Sequence, residues 1–307
     1  NISIKDNIRL VDLVLPDELV GRFRGPNVGL DGLRQWLGAY DRPLLATAIK
    51  PRGSRNDVLA RIAGDFALGG GDIVKDDHNL VDDDLDSFRV RVTACQQAVE
   101  DANVSTGRGC LYPVLVMSHP TFAGTFFHDR RHGITPGILL GTLFRMAGVD
   151  ATVFPNYGGR FGFTAEECAE IARRMASPLG TLKPGWPAPA GGMQFRNLPD
   201  MARHYGQDCI FLVGGALLSH MPSLVNSTKA FAEAAASPFR PRHVPPRRPF
   251  VSACELPSSA PAEKPVVHLP KTRAEGDARV VIHLALDRAG GAKPLHWANR
   301  EPVAYKA

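Results

Sequence analysis

The sequence lacks any hydrophobic run long enough to cross a membrane, and it lacks any pair of cysteines at a metal-binding spacing. Hydrophobic residues fill 44% of its 307 positions, yet no apolar run approaches the roughly 20 residues of a membrane span. The first ten residues mix polar and apolar side chains, so no secretory signal peptide is visible. The five cysteines show no CxxC spacing, which favours free thiols in a reduced compartment. We therefore expect a cytoplasmic protein without a membrane-spanning segment.

Positive charge is concentrated near the C-terminus. The formal net charge is +5, but residues 237–307 alone carry 12 basic and 6 acidic side chains. The rest of the chain is nearly neutral, so its charge argues little for binding to nucleic acid, and we expect no nucleic-acid partner. Residues 237–307 are also rich in proline and arginine and show no periodicity. This composition predicts a disordered tail, in which 280–284 could form an edge strand.

Apolar runs and amphipathic stretches alternate between residues 41 and 236. The predicted strands lie at 44–51, 69–77, 111–119, 151–154, 187–190 and 209–213. The predicted helices lie at 30–37, 55–68, 85–99, 136–147, 164–175 and 217–236. This alternation predicts an α/β fold with a parallel sheet and crossover helices. Pro113 is awkward inside the third strand, because proline cannot donate a hydrogen bond to a central strand.

The densest group of polar side chains follows the second predicted strand. Ile73 and Val74 form a short β-branched run, and residues 75–78, Lys-Asp-Asp-His, come directly after it. Unpaired charge is costly to bury, so such a cluster at the end of a buried strand indicates a site. Carboxylates are the ligands that hard cations prefer, and a histidine can join them. The alternative is a connecting segment whose charges simply face water.

Two glycine pairs follow the last two predicted strands. Gly191 and Gly192 follow one strand, and Gly214 and Gly215 follow the next. Backbone N–H groups exposed at such positions, near the start of a helix, bind phosphate well. Barrels of alternating strands and helices often hold phosphate after their last two strands. The alternative is that both pairs are only tight turns.

Several short motifs lie in a fixed order along the chain. They are 42–51 (RPLLATAIKP), 70–79 (GGDIVKDDHN), His119, 132–134 (HGI), 158–160 (GGR), 190–192 (AGG) and Gly214-Gly215. Together they resemble the large chain of ribulose-bisphosphate carboxylase (RuBisCO), and more closely the RuBisCO-like proteins. The resemblance implies a (β/α)8 TIM barrel at 41–236. Residues 1–40 would then be a connection from an N-terminal domain, and 237–307 a tail.

The resemblance implies a Mg²⁺ centre that includes CO2 bound to a lysine. Lys50 would assist proton transfer at the substrate, and Lys75 would react with CO2 to form a carbamate that binds Mg²⁺. Asp77 would be a carboxylate ligand, and His78 stands where RuBisCO has a glutamate ligand. Carbamate formation needs the neutral amine of Lys75, which burial favours. Alternate residues of a strand share a side, so His78 would join Lys75 and Asp77 only if the chain turns.

The resemblance also implies how a phosphorylated sugar or sugar acid would bind. His119 would contact the substrate. The backbone amides that would hold its phosphate are those of Gly191, Gly192, Gly214 and Gly215. Arg160 replaces the lysine with which RuBisCO steadies the added CO2, and its planar fork would meet a phosphate or carboxylate through two hydrogen bonds. A homodimer is implied as well, since a partner subunit completes the site in this family.

Departures from the RuBisCO pattern argue against carboxylation of ribulose bisphosphate. They are His78 and Arg160, together with Pro120 for a phosphate-binding arginine, Ala190 for a serine and Val153 for a histidine. Fewer phosphate contacts indicate a substrate with one phosphate. The leading hypothesis is therefore Mg²⁺-dependent enolisation by a RuBisCO-like enolase, isomerase or decarboxylase. A true RuBisCO large chain is the first alternative.

The interval between Lys75 and His119 is much too short for this family. Two strands and their helices have no full counterpart in the sequence, and the junction falls near Tyr112 and Pro113. Six strands cannot close an eight-stranded barrel, so we expect an incomplete barrel with a gap between the strands of Lys75 and His119. The N-terminal domain of the family has no counterpart either. An inactive remnant without catalysis is therefore the second alternative.

Overall fold

The computed structural model describes residues 7–77, 82, 84–112, 115–159 and 162–239, together with the backbone of 279–283. The strands are β1 (Arg9–Val14), β2 (Leu44–Ile49), β3 (Ile73–Asp76), β4 (Met117–Ser118), β5 (Gly133–Ile134), β6 (Ala151–Pro155), β7 (Trp186–Ala190), β8 (Ile210–Leu212) and β9 (Arg279–His283). The α-helices are α1 (Asp17–Val20), α2 (Gly29–Leu37), α3 (Asn56–Leu68), α4 (Leu85–Thr106), α5 (Gly124–Phe127), α6 (Phe144–Met146), α7 (Ala165–Ala176), α8 (Leu198–Tyr205), α9 (Gly215–His220) and α10 (Leu224–Ala236). A π-helix, Gly137–Leu143, leads into α6, and a 3₁₀ turn, Phe195–Asn197, leads into α8.

Six parallel strands form a curled sheet that corresponds to part of a TIM barrel. Their order is β3-β2-β8-β7-β6-β4. Strand β2 lies inside this sheet and pairs with β3 on one side and with β8 on the other. The two edge strands are β3 and β4, so the sheet is open between the strand of Lys75 and the strand that precedes His119. This confirms the predicted incomplete barrel and the position of its gap.

The segment predicted as one strand over 111–119 is divided between the two edges of the sheet. Leu111 forms one parallel bridge with Ile73 at the outer edge of β3. Further along, Met117 and Ser118 form β4 and pair with β6 instead. The prediction of one continuous strand is therefore wrong, and residues 113 and 114 between the two pieces lie outside the described residues. The physical reason is that the strands which would follow β3 are missing from the sequence, so the chain passes to the other edge.

The two faces of the sheet pack against different partners. The interior of the half-barrel is formed by Leu44, Ala46, Ile73, Ala151, Val153, Trp186, Ala188 and Ile210. The outer face packs on α3, α4, α8 and α10 through Leu45, Val74, Phe211, Val213, Phe66, Cys95, Val99 and Phe231. Strand residues alternate between these clusters, because successive side chains of a strand point to opposite faces. Burial on both faces explains why the strands are continuous apolar runs in the sequence.

Helix boundaries follow the capping signals of the sequence. Asp84 caps α4, because its Oδ1 accepts a 2.7 Å hydrogen bond from the backbone N–H of Ser87. Thr164 and Glu167 form a capping box at the start of α7. The helix predicted over 217–236 is instead divided into α9 and α10, because Pro222 lies between them and Ser223 caps the second helix.

A second sheet of three strands joins distant parts of the chain in the order β5-β1-β9. Its central strand, β1, belongs to the predicted connection at 1–40 and pairs in parallel with both neighbours. The edge strand β9 overlaps the strand predicted at 280–284. Residues 240–278 and 284–307 lie outside the described residues, so the predicted disorder of the tail stays a prediction. The domain boundaries at 40 and 236 stay predictions as well.

The four cysteines within the described residues are free thiols. Cys95, Cys110, Cys168 and Cys209 are buried and unpaired by disulfides, whereas Cys254 lies outside the described residues. Burial raises the pKa of Cys168 to about 11, so this thiol stays protonated at neutral pH. Among the helices of the described ranges, none has both the length and the apolar character that crossing a membrane requires.

Buried carboxylates brace the N-terminal ends of the strands, at the opposite end from the predicted site. Asp72 is 3% exposed and forms a bidentate ion pair with Arg42, with N–O distances of 2.6 and 2.7 Å. It also accepts a 2.8 Å hydrogen bond from the N–H of Leu45. Asp150 accepts hydrogen bonds from the backbone N–H groups of Val28 and Gly29, where α2 begins, and of Val116, just before β4. These contacts satisfy the carboxylates and stabilise the sheet.

Arg145 in α6 is a fully buried cation held by backbone carbonyl groups. It donates hydrogen bonds to the carbonyls of Lys183 and Leu182 at 2.9 and 2.8 Å, and to those of Arg174 and Ser177. Burial lowers the pKa of this guanidinium to about 10. Arg145 thereby joins α6 to the loop between α7 and β7.

We expect Arg145→Met to lower the free energy of unfolding by about 3 kcal/mol, because carbonyls left without a donor cost about 1–3 kcal/mol each. The matched control is Arg173→Met, which removes an exposed ion pair with Glu170 and should change stability by less than about 1 kcal/mol. Chemical denaturation measures both values. Equal losses in the two variants would contradict the structural role of Arg145.

Candidate functional site

The predicted site residues continue the inward-facing rows of the sheet at its C-terminal edge. Lys50, Lys75, Asp77, His119 and Gly214 each follow an interior-packed side chain of their own strand by two or four residues. Since strand side chains alternate, this spacing directs them toward the interior. The C-terminal ends of parallel strands meet at one end of the barrel, where TIM-barrel active sites lie. The sequence therefore brings these residues to one end of the half-barrel.

Lys50 contacts two of the other predicted positions. Its Nζ lies 3.9 Å from Oδ2 of Asp77. A Cβ atom at Gly214 would lie only 2.8 Å from the same Nζ, so the missing side chain of Gly214 leaves room for the ammonium group. This arrangement follows from pairing, because β2 lies between β3 and β8. The side chain of Lys50 is 37% exposed, so its amine can exchange protons with a bound molecule or with solvent.

Lys75 is half-buried and has a perturbed amine. Burial lowers the pKa of Lys75, the charges of Asp77 and Asp76 oppose this shift, and the nearby charge of Lys50 adds to it. The Nζ of Lys75 also donates a hydrogen bond to the carbonyl of Asp76. A lowered pKa increases the fraction of neutral amine at neutral pH. The neutral amine is the form that can react with CO2.

The two glycine pairs follow neighbouring strands. In the pairing of β7 with β8, Ala190 lies opposite Leu212, so Gly191 follows one strand end and the second pair follows the other. Gly191 and Gly192 have φ angles of +77° and +68°, which favour glycine. A Cβ atom at Gly191 or at Gly215 would meet no other atom within 4 Å. The backbone at both strand ends therefore borders open space.

Gly192 also contacts the loop that follows β6. A Cβ atom at Gly192 would lie 3.1 Å from Cα of Gly159, so the two backbones approach closely. Nδ2 of Asn197 donates a 3.0 Å hydrogen bond to the carbonyl of Gly192, and its Oδ1 accepts one from the N–H of Gln194. Asn197 was not among the residues predicted from the sequence. An asparagine at the start of a helix shortly after a glycine pair is the signal that could have indicated it.

The structure does not bring all predicted residues together. His119 is exposed at the end of β4 and lies on the opposite edge strand from Lys75, with its Nδ1 in contact with Oγ1 of Thr121. His78 and Arg160 lie outside the described residues. Their predicted roles, as metal ligand and as anion-binding group, stay predictions.

The donor atoms near Lys75 determine which metal could bind. The described residues contain no cluster of three or more His, Cys, Asp or Glu side chains that could hold a metal ion. Asp76 faces the outer side, where Arg91 lies 2.9 Å from its Oδ1, so Asp77 is the carboxylate directed to the interior. A hard cation prefers several oxygen ligands. The donor set therefore fits Mg²⁺ if a carbamate on Lys75 adds oxygen atoms to that of Asp77.

Comparisons with known proteins identify the family. The family model for the ribulose bisphosphate carboxylase large chain, catalytic domain, matches residues 29–125. The 5-methylthioribulose-1-phosphate isomerase of Rhodospirillum rubrum is 36% identical, over an alignment that covers 77% of this chain and 74% of that protein. The chain belongs to the RuBisCO large-chain family. Its motifs and its relatives place it with the RuBisCO-like proteins of that family.

Two further relatives agree with this assignment to the RuBisCO family. The 2,3-diketo-5-methylthiopentyl-1-phosphate enolase of Geobacillus thermodenitrificans is 29% identical and matches 76% of this chain and 68% of its own length. The crystal structure of a RuBisCO-like protein from Rhodopseudomonas palustris superposes with a TM-score of 0.66 at 32% identity, covering 74% of this chain and 73% of that one. The shared fold supports interpreting the curled sheet as part of a RuBisCO-type barrel.

We expect Gly192→Ala to destabilise the protein more than Gly191→Ala, by about 1–3 kcal/mol, the range for crowding a packed position. Both substitutions place a side chain at a positive φ, but only the one at Gly192 meets the backbone of Gly159. Chemical denaturation of the two variants measures the difference. Equal free energies of unfolding would show that the loop after β6 does not rest on Gly192.

Proposed function

We propose that this RuBisCO-like chain catalyses Mg²⁺-dependent enolisation of a phosphorylated sugar or sugar acid, without carboxylation. The observation that carries the proposal is the arrangement of Lys50, Lys75 and Asp77 at the ends of two paired strands, with the Lys50 amine 3.9 Å from Asp77. The names of two relatives, an isomerase and an enolase that act on phosphorylated five-carbon compounds, support the same class of reaction.

The metal would be held by a carbamate on Lys75 and by Asp77, with His78 as a further ligand. When bound, Mg²⁺ would acidify a carbon next to a carbonyl and stabilise the negative oxygen of the enediolate. The lowered pKa of Lys75 supports carbamate formation, because more of its amine is neutral. Carbon dioxide is therefore part of the proposed cofactor.

Lys50 is the proposed proton carrier. Its amine is close enough to Asp77 to face the same bound molecule, and Gly214 leaves the space that it occupies. A proton removed from the carbon next to the carbonyl would pass through this amine and return at a neighbouring atom. His119 would contact the substrate from the other edge of the opening.

The two glycine pairs are the proposed phosphate site. Backbone N–H groups after β7 and β8 would donate to the phosphate oxygens. Arg160 would pair with a phosphate or carboxylate of the substrate. Pro120 and Ala190 replace phosphate-binding side chains of RuBisCO, which supports a substrate with one phosphate. We also propose that the chain acts as a cytoplasmic homodimer.

A catalytically inactive remnant is the second candidate, and the open edge between β3 and β4 favours it. Carboxylation of ribulose bisphosphate is disfavoured by His78 and Arg160. Two experiments separate the proposed function from a remnant, because a remnant would neither bind Mg²⁺ through a carbamate nor exchange a substrate proton.

Bicarbonate should increase the affinity for Mg²⁺ in the wild type but not in Lys75→Ala, because the carbamate needs both CO2 and the Lys75 amine. Isothermal titration of Mg²⁺ with and without bicarbonate measures this effect, and ¹³C NMR with labelled bicarbonate detects the carbamate directly. The control is Lys229→Ala, an exposed lysine on α10. A wild type that ignores bicarbonate, or a Lys75→Ala variant that binds the metal equally well, would remove the carbamate site.

Substrate enolisation should appear as incorporation of deuterium from D2O into the substrate. The two compounds to test are 5-methylthioribulose 1-phosphate and 2,3-diketo-5-methylthiopentyl 1-phosphate. We expect Lys50→Met to slow exchange by about 100-fold or more, the range for removing a general acid or base, whereas Lys229→Met changes it little. NMR follows the loss of the proton signal. No exchange by a wild type that binds Mg²⁺ through the carbamate would favour another substrate class.

A further inference from the structure

Arg91 on α4 reaches the outer side of the strand end that carries Lys75 and Asp77. Its side chain is 5% exposed, and its Nη1 lies 2.9 Å from Oδ1 of Asp76. Its Nε and Nη2 hold the carboxylate of Asp82 at 3.0 and 2.8 Å. Asp76 comes before Asp77 in the chain and Asp82 comes after it. The guanidinium of Arg91 therefore binds the chain both before and after the proposed metal ligand.

Tyr112 takes part in the same network. Its hydroxyl donates a 2.7 Å hydrogen bond to Oδ1 of Asp76 and accepts one of 3.2 Å from Nη1 of Arg91. The tyrosine is 3% exposed and the Arg91 side chain 5%, so both donors are shielded from water, while the Asp76 side chain is 28% exposed. Hydrogen bonds to ionised groups are stronger than neutral ones, and Asp76 receives two such contacts. Its carboxylate is thereby fixed against the outer face of the sheet.

This network lies at the open edge of the half-barrel. Among the described residues, Leu111 supplies the strand-type pairing along the free edge of β3, through a single bridge with Ile73. In a closed barrel a complete strand would flank β3 on that side. Beyond Val74, β3 pairs with β2 on one side, whereas on the open side its support within the described residues comes from side chains. Tyr112, next to Leu111, and Arg91, on the following helix, supply it.

We propose that Arg91, assisted by Tyr112, is a positioning residue that holds Asp76 outward and thereby directs Lys75 and Asp77 into the barrel. Neighbouring side chains of a strand point to opposite faces. Holding Asp76 on the outer face therefore turns Lys75 and Asp77 to the inner face. The inference rests on the proposed Mg²⁺ function. Removing partners that orient metal ligands typically weakens metal binding by about 10- to 100-fold, and this is the loss we expect for Arg91→Gln.

The experiment compares full-length variants with a matched control on the same helix. Arg89→Gln removes an exposed arginine whose ion pair with Asp86 spans 3.5 Å. Two measurements are made: the affinity for Mg²⁺ in bicarbonate, and hydrogen–deuterium exchange of the metal-free protein in peptides covering 73–84 and 151–176. We expect Arg91→Gln to weaken metal binding and to speed exchange in 73–84 alone. Tyr112→Phe should act in the same direction to a smaller degree, and Arg89→Gln should resemble the wild type.

Three results would overturn the inference. Arg91→Gln could match Arg89→Gln in both measurements, which would leave Arg91 without a positioning role. Exchange could rise equally in 73–84 and in 151–176, which would make Arg91 a residue of general stability. A wild type that does not bind Mg²⁺ in bicarbonate would remove the proposed function itself, and this failure is recognised without any variant.

Discussion

The parallel pairing of β2 with β3 determines where the chemistry of this chain can lie. Ala48 lies opposite Lys75 in this register, so Lys50 reaches the level of Asp77 just beyond the last paired residues. A shift of the register by one residue would turn Lys75 toward the helices and bring Asp76 inward, because side chains alternate along a strand. The candidate site therefore depends on the register of one strand pair more than on any single contact.

The missing strand–helix units affect the surface as well as the sheet. Leu85, Phe88 and Val90 on α4 are 60%, 42% and 61% exposed, and Phe122 and Phe126 after β4 are 91% and 50% exposed. These apolar side chains lie on the elements that follow the two edge strands. In a complete barrel, the missing units would pack at this position. Exposed apolar side chains and open strand edges therefore occur together on the elements that border the gap in the barrel.

Sequence reasoning succeeds where structure is local and fails where it is not. Five strands of the barrel sheet (β2, β3, β6, β7 and β8) and the caps of α4 and α7 are readable from the chain, because burial on both faces and capping are local signals. The junction near Tyr112 joins parts of two strands whose apolar residues look like one strand. The sheet of β1, β5 and β9 is invisible because its pairs are far apart in sequence. The order of motifs indicates that Lys50 and Asp77 are site residues. Arg91 and Asn197 belong to no such motif, because Arg91 contacts the outer face and Asn197 contacts the backbone.

The charge balance around Lys75 couples the proposed carbamate to the proposed metal. Burial disfavours the charged ammonium form of Lys75, whereas the negative charges of Asp77 and Asp76 favour it. A carbamate would replace this cation by an anion beside Asp77, at a partly dry position where repulsion between like charges is strong. Lys50, 3.9 Å from Asp77, supplies one positive charge, but a proton carrier cannot remain charged throughout a reaction. It follows from the proposed function that the carbamate and Mg²⁺ stabilise each other, each raising the affinity for the other by the same factor.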